Sequence, residues 1–322
     1  MASRLVLNLL ITLRRGIRVP LCVVLSMAFL CLPAALAQQG QGTFENAGLT
    51  LYYRTLGQGS PVLILAGGPG MDVDYMLPVA RLLAKDHTAI LLEQRGTGRS
   101  MPAKIAPETV SADLMLSDME ALRTKLRYRQ WVVLGHSAGS LTAMLYAVAH
   151  PSSIRALVLL GTMPPNFTPL LKVGPSRMAR LGPAEQARMA ELSKLGNTGT
   201  VAQQNARQIE MLRMTFEAEF VDKEAGHRFA QTMTVDNFHM GTSAVLETAL
   251  PDYDERPALA KLHIPTLIVQ GRQDSLDPDL AALTRDAIPD AQLVIAEKAG
   301  HFGWLEQPEF YRTTIETFLR GK

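Results

Sequence analysis

Residues 132–140 read V-V-L-G-H-S-A-G-S, a G-x-S-x-G pentapeptide fed by an apolar run. A strand ending in this pattern, with a helix starting from it, leaves few folds open. The chain must turn sharply between the two and present Ser137 at the tip, at the top of a parallel sheet, with the two glycines expected to permit the turn. The flanks agree. Trp131–Leu134 is an apolar run of the kind a buried strand needs, and Leu141–Ala149 is rich in helix formers. A serine hydroxyl is a poor nucleophile until a base takes its proton and a third group orients the base. A chain that uses Ser137 must therefore supply a histidine and a carboxylate from elsewhere.

Strand and helix signals alternate around this segment. Leu49–Leu56, Pro61–Ala66, Thr88–Leu92, Arg155–Leu160, Thr266–Gln270 and Gln292–Ala296 are predicted strands; Met76–Lys85 and Glu108–Leu126 are predicted helices. Strands separated by helices imply right-handed crossovers and an α/β, doubly wound, mostly parallel sheet covered on both faces. Residues 163–257 break the rhythm. They hold no clear strand, are helical in pieces (Pro183–Leu195, Val201–Phe220, Lys223–Met233) and carry seven methionines, at 163, 178, 189, 211, 214, 233 and 240. The expectation is an α/β core of residues 49–162 and 258–322 with a helical cap or lid, 163–257, inserted on the active-site side. The methionines suit either an adaptable pocket lining or ordinary helical core.

The first 37 residues stand apart. They contain Arg4, Arg14, Arg15 and Arg18 and no acid, then an apolar stretch from Leu21 to Leu36 broken by Pro33, then Ala35-Leu36-Ala37. This is the layout of a signal peptide cleaved near Ala37; the stretch is shorter than the roughly 20 residues a membrane span needs. The expected location is periplasmic or secreted, with membrane contact only through an uncleaved leader, and Arg14-Arg15 leaves twin-arginine export open beside the general route. Of 32 basic and 30 acidic residues in the chain, cleavage leaves 28 and 30, so the basic balance belongs to the leader and nucleic acid is not an expected partner. Both cysteines, Cys22 and Cys31, also lie in the leader, so the mature chain has neither disulfide nor thiol chemistry. Residues 38–48, rich in Gln and Gly, are expected to be a flexible segment.

Seven histidines compete for the role of base. His136 adjoins the serine but points elsewhere at a sharp turn; His87, His150, His227, His239 and His263 lie at element ends or in the cap. His301 stands in Ala299-Gly300-His301-Phe302, a loop after the last predicted strand that returns to the edge where Ser137 sits. The orienting carboxylate belongs on the loop after the preceding strand, where Gly271-Arg272-Gln273-Asp274 offers Asp274. Asp277 and Asp279 compete with it, though both suit the start of a helix near Pro278. Backbone N–H groups of Ala138 and Gly68 are the expected oxyanion donors, Gly68 because Gly67-Gly68-Pro69-Gly70 ends a buried strand. Acyl transfer through these groups needs no metal and no cofactor.

Taken together, these residues resemble the α/β-hydrolase fold superfamily, and three segments resemble its proline iminopeptidase group. Gly67-Gly68-Pro69-Gly70 is similar to that group's H-G-G-P-G, Glu93-Gln94-Arg95-Gly96-Thr97-Gly98-Arg99-Ser100 to its D-Q-R-G-x-G-x-S, and Gly135–Gly139 occupies its nucleophile position. Ala66, Glu93 and Ala138 depart from the usual histidine, aspartate and tryptophan. The resemblance implies a serine hydrolase acting on a short peptide or other small molecule: an aminopeptidase whose cap carboxylates hold the substrate amine, or a carboxylesterase with the same Ser137, His301 and Asp274. Cap candidates for the amine are Glu210, Glu217, Glu219 and Glu224. A non-catalytic ligand-binding relative is a remote alternative, since it has no need of three reactive groups at these positions.

Overall fold

The computed structural model describes residues 39–249 and 253–322; the leader expected over residues 1–37 lies outside them. The strands are β1 (Gln39–Asn46), β2 (Leu49–Leu56), β3 (Ser60–Leu65), β4 (His87–Leu92), β5 (Trp131–His136), β6 (Ile154–Leu160), β7 (Thr266–Gly271) and β8 (Gln292–Ala296). The helices are α1 (Leu77–Leu83), α2 (Ala112–Lys125), α3 (Ala138–Ala149), α4 (Val173–Arg180), α5 (Pro183–Leu195), α6 (Val201–Glu217), α7 (Lys223–Gln231), α8 (Met240–Ala249), α9 (Arg256–Leu259), α10 (Pro278–Ala287), α11 (Gly303–Glu306) and α12 (Pro308–Leu319). The eight strands make one sheet, in the order β1-β2-β4-β3-β5-β6-β7-β8. β1 and β2 pair antiparallel, as do β2 and β4, and all other neighbours are parallel.

The pleat divides the core in two. Ile64, Leu134, Val158 and Val269 point to the face covered by α1 and α12, through Val79, Leu83, Ile315 and Phe318. Leu63, Val133, Leu159 and Ile268 point to the other, under Met119 and Leu122 of α2 and Met144 and Ala147 of α3. Burial on both faces explains why the central strands are unbroken apolar runs. Among the described residues, no helix is long and apolar enough to cross a membrane.

Two expectations need correction. Residues 39–46, assigned to a flexible segment, form β1 and pair along their whole length with β2. Two glycines mask the strand, yet they suit it: a Cβ on Gly42 would press on the Tyr53 ring, which lies across the pair at that point. The helix predicted from Glu108 starts instead at Ala112, because Ser111 caps it, accepting from the Leu114 N–H, and Thr109 is tied back to the Lys104 and Ala106 carbonyls. Between β6 and β7 the chain is helical, as expected, but α4, α8 and the short α9 add to the three helices legible from periodicity.

Candidate active site

The crossover from β3 runs to β4 on one side and that from β5 runs to β6 on the other. A crevice therefore opens at the carboxyl ends of β3 and β5, the position where sheets of this kind bind ligands. β3 brings Gly67 and Gly68 to one wall and β5 brings Ser137 to the other. Ser137 sits at φ 52°, ψ −123°, a conformation costing about 1–3 kcal/mol for a residue with a side chain. Its N–H donates to the Leu160 carbonyl at 3.0 Å, and its own carbonyl accepts from the Ser140 N–H at 2.8 Å. The motif glycines act differently from the expectation. A Cβ on Gly135 would collide with the Gly139 carbonyl, and one on Gly139 with the Ala66 carbonyl. They permit close packing, while the serine itself carries the unusual torsion.

β7 and β8 bring Asp274 and His301 together. Gly271 makes this possible, since a Cβ there would strike the Ala299 and Gly300 carbonyls of the neighbouring loop. Both Asp274 oxygens lie 2.9 Å from His301 Nδ1. Gln270 Nε2 donates to Asp274 Oδ2 at 2.7 Å and the Leu276 N–H to Oδ1 at 2.8 Å, so the carboxylate is held from three sides while nearly sealed from solvent. Gly161, at φ 50°, leaves the room this pair needs: a Cβ would press on His301 Nδ1 at 3.0 Å and on Asp274 Oδ2 at 3.1 Å. Ser137 and His301 line one cavity. No hydrogen bond joins the hydroxyl to the ring among the described residues, as is common before substrate tightens such contacts. Asp277 caps α10, accepting from the Asp279 and Leu280 N–H groups, and stands outside the pair.

A second network, absent from the sequence argument, ties the glycine loop to the histidine loop. The Gly67 N–H donates to Tyr75 Oη at 2.6 Å, and Tyr75 Oη lies 2.8 Å from His136 Nδ1. His136 Nε2 lies 3.1 Å from the His301 carbonyl. Burial, with the neighbouring His301, pushes His136 well below the ordinary imidazole range, so it is neutral. Burial also raises Tyr75, which stays protonated. These states fix the roles: Tyr75 O–H donates to Nδ1, and Nε2–H donates to the carbonyl. With the Gly67 N–H spent on Tyr75, the next donor along the loop is Gly68, and the Ala138 N–H opens α3, where helical amides lack an internal acceptor. Both line the same cavity. Tyr75→Phe strips a partner from Gly67 and from His136 at once. It is expected to lower kcat by about tenfold and stability by about 1–3 kcal/mol, read from steady-state rates and urea unfolding; unchanged kcat would detach the network from the site.

Two cavities of about 460 Å³ and 360 Å³ meet at Gly68, Met71, Ser137, Arg177 and Glu247, which line both. Both roles foreseen for the seven methionines occur. Met163 lines the first cavity and Met189, Met211 and Met240 the second. Met233 is buried in the core and Met214 packs half-buried against the Leu181, Met189 and Ala218 cluster, while Met178 is exposed and takes neither role. Of the four expected cap carboxylates, Glu210 pairs with Arg188, Glu217 with His227 and Glu224 with Arg228, all on accessible side chains lining neither cavity. Glu219 is buried. Its carbonyl accepts from the His301 N–H at 2.9 Å, and its carboxylate accepts from Arg177 Nε at 2.8 Å and Ser275 Oγ at 2.5 Å. Burial opposes its charged form, but the charges of His301 and Arg177 and the Ser275 and Arg177 hydrogen bonds outweigh it and hold the carboxyl below its ordinary range. Glu247, missed from the sequence, reaches both cavities; Ser243 Oγ donates to it at 2.8 Å, and no cation pairs with it among the described residues. The Glu93–Ser100 loop serves two ends. Arg95 makes a buried two-pronged bond to Asp118, while Gln94 and Thr97 line the first cavity. Among the described residues, no cluster of His, Cys, Asp and Glu is arranged to hold a metal ion.

Comparison with known proteins agrees with this fold. A family model described as alpha/beta hydrolase fold matches residues 60–308. The chain is 28% identical over 292 residues to a proline iminopeptidase of Lactobacillus helveticus, covering 87% of this chain and 97% of the relative. It is 25% identical over 283 residues to one from Saccharolobus solfataricus, covering 84% and 89%. Among solved structures, a proline iminopeptidase of Mycobacterium smegmatis superposes with a TM-score of 0.70 at 19% identity, covering 87% of this chain and 98% of that one. An esterase from Exiguobacterium antarcticum gives 0.67 at 23% identity, covering 87% and 99%.

Proposed function

This chain belongs to the alpha/beta hydrolase fold family, and from that premise we propose that it is a serine hydrolase of aminopeptidase type. Ser137 Oγ attacks the substrate carbonyl carbon as its proton passes to His301 Nε2. The N–H groups of Gly68 and Ala138 stabilise the oxyanion, and Asp274 stabilises the imidazolium. His301 then protonates the departing amine, and a water activated by the same ring hydrolyses the acyl-enzyme. The route uses no metal or cofactor. The segment 163–257 acts as the lid over this site, and the leader of residues 1–37 makes the site of action periplasmic or extracellular.

The observation that carries the aminopeptidase reading is Glu247. A carboxylate without a cationic partner among the described residues, lining both of the cavities that Ser137 lines, is suited to the free α-ammonium of a peptide. The proline iminopeptidase names of the relatives support the same choice. The apolar lining of the first cavity, with Leu141, Leu145, Phe167 and Leu170, favours a carboxylesterase as the second reading. Proline p-nitroanilide, its N-acetyl derivative and p-nitrophenyl butyrate separate the two. Cleavage of the free-amine anilide but not its acetylated form is expected, and Glu247→Gln is expected to raise its KM by about ten- to hundredfold. Turnover of the ester alone sinks the aminopeptidase reading.

A further inference from the structure

Arg177 and Glu247 are the only Asp, Glu, Lys or Arg side chains lining either cavity among the described residues, and each lines both. Glu247 is exposed at the cavity mouth, whereas Arg177 is half-buried, and a charge taken from water is costly unless another group answers it. Glu219 answers Arg177 only in part. Arg177 Nε donates to Glu219 Oε1 at 2.8 Å and reaches Ser275 Oγ at 3.3 Å. A guanidinium carries five N–H donors, and the two Nη nitrogens of Arg177 have no acceptor among the described residues. Arg180, one turn further along α4, shows the contrast. Its Nη1 and Nη2 are spent on the carbonyls of Gln273 and Asp274, clamping the loop that carries the carboxylate. Arg177 is fixed through one nitrogen and keeps its planar fork free, with the side chain 35% exposed.

We propose that the free fork of Arg177 receives a carboxylate of the substrate, so that the preferred substrate is a short peptide with a free C-terminus as well as a free N-terminus. The proposal rests on the aminopeptidase reading. Two N–H groups in a plane match the two oxygens of a carboxylate, and such paired bonds are stronger and more directional than a single charge contact. Glu219 does not cancel the attraction. It is shared with Ser275 and lies close enough to His301 to respond to that ring's charge, and its bond to Nε holds the fork still. A zwitterion places its ammonium at Glu247 and its carboxylate at Arg177, with the scissile bond at Ser137 between two cavities that share all three residues.

The test compares prolyl-alanine with prolyl-alaninamide, which share the scissile bond and the free amine and differ only in the terminal charge. Wild-type protein is expected to favour the acid in kcat/KM by about tenfold or more, and Arg177→Gln to bring the ratio near one by raising KM for the acid. Loss of the Glu219 counter-ion alone lowers both substrates together and leaves the ratio as it was. A wild-type ratio near one, or an unchanged ratio in Arg177→Gln, overturns the proposal and leaves the aminopeptidase reading intact. Failure to cleave either dipeptide while p-nitrophenyl butyrate is turned over removes that reading and this proposal with it. The wild-type comparison needs no variant, so a poorly folded Arg177→Gln does not rescue the idea.

Discussion

Ser137→Ala is expected to lower kcat by about 10⁴–10⁶, with KM little changed and the covalent burst abolished. The variant keeps the Gly68 and Ala138 amides and the walls of both cavities, so it still binds substrate and retains a residual rate from oxyanion stabilisation alone. It loses the only step that forms the acyl-enzyme. Reaction with a fluorophosphonate followed by mass measurement gives a second readout, because the adduct forms on the wild type and not on the variant. The torsion at Ser137 adds a test independent of rate. At φ 52° alanine bears the same strain as serine, whereas glycine does not. Ser137→Gly is therefore expected to be as inactive as Ser137→Ala but more stable by about 1 kcal/mol, which urea unfolding can resolve. Near-normal turnover in either variant would remove Ser137 from the chemistry.

The parts of this site that were legible in the sequence are those written in short-range code. Ser137, Asp274 and His301 each follow an apolar run and a glycine, so the place of each at a strand end could be argued from a few neighbours. The helix-capping role of Asp277 was legible for the same reason, since it precedes Pro278 and does cap α10; Asp279, expected beside it at the helix start, lies within the first turn instead. What was hidden depends on residues far apart in the chain. Tyr75 meets His136 across 61 positions. Gly161 matters because of a histidine 140 residues later that needs its missing Cβ. Glu247 and Arg177 gain meaning only when α4 and α8 are brought beside Ser137, and neither helix was marked by a clear period. β1 was hidden differently: its glycines read as flexibility, although Gly42 admits the Tyr53 ring and Gly40 the Thr55 side chain of the neighbouring strand.

Asp274→Asn is expected to lower kcat by about 10⁴ while the protein stays folded, and Asp277→Asn to leave it near the wild-type value. The reason lies in the donors around Asp274. Oδ2 accepts from Gln270 Nε2, Oδ1 accepts from the Leu276 N–H, and both oxygens face His301 Nδ1. An asparagine has one oxygen for this ring of donors. With its nitrogen at the Oδ2 position it meets the Gln270 amide, and at the Oδ1 position the Leu276 N–H; either way a donor faces a donor. In either orientation the asparagine nitrogen also faces His301 Nδ1, and that clash is relieved when His301 moves its proton to Nε2 and accepts on Nδ1. That tautomer presents a proton to Ser137 where the reaction needs a lone pair, so the base is lost though every residue is in place. Asp277 has no such constraint. Its Oδ1 accepts from Asp279 and Leu280 at the start of α10, and an asparagine oxygen caps a helix as well as a carboxylate does. Rates with proline p-nitroanilide and p-nitrophenyl butyrate, beside unfolding curves for both variants, decide the matter. A severe loss in Asp277→Asn with a mild one in Asp274→Asn would move the orienting role along the loop and break the link drawn between the β7 and β8 ends.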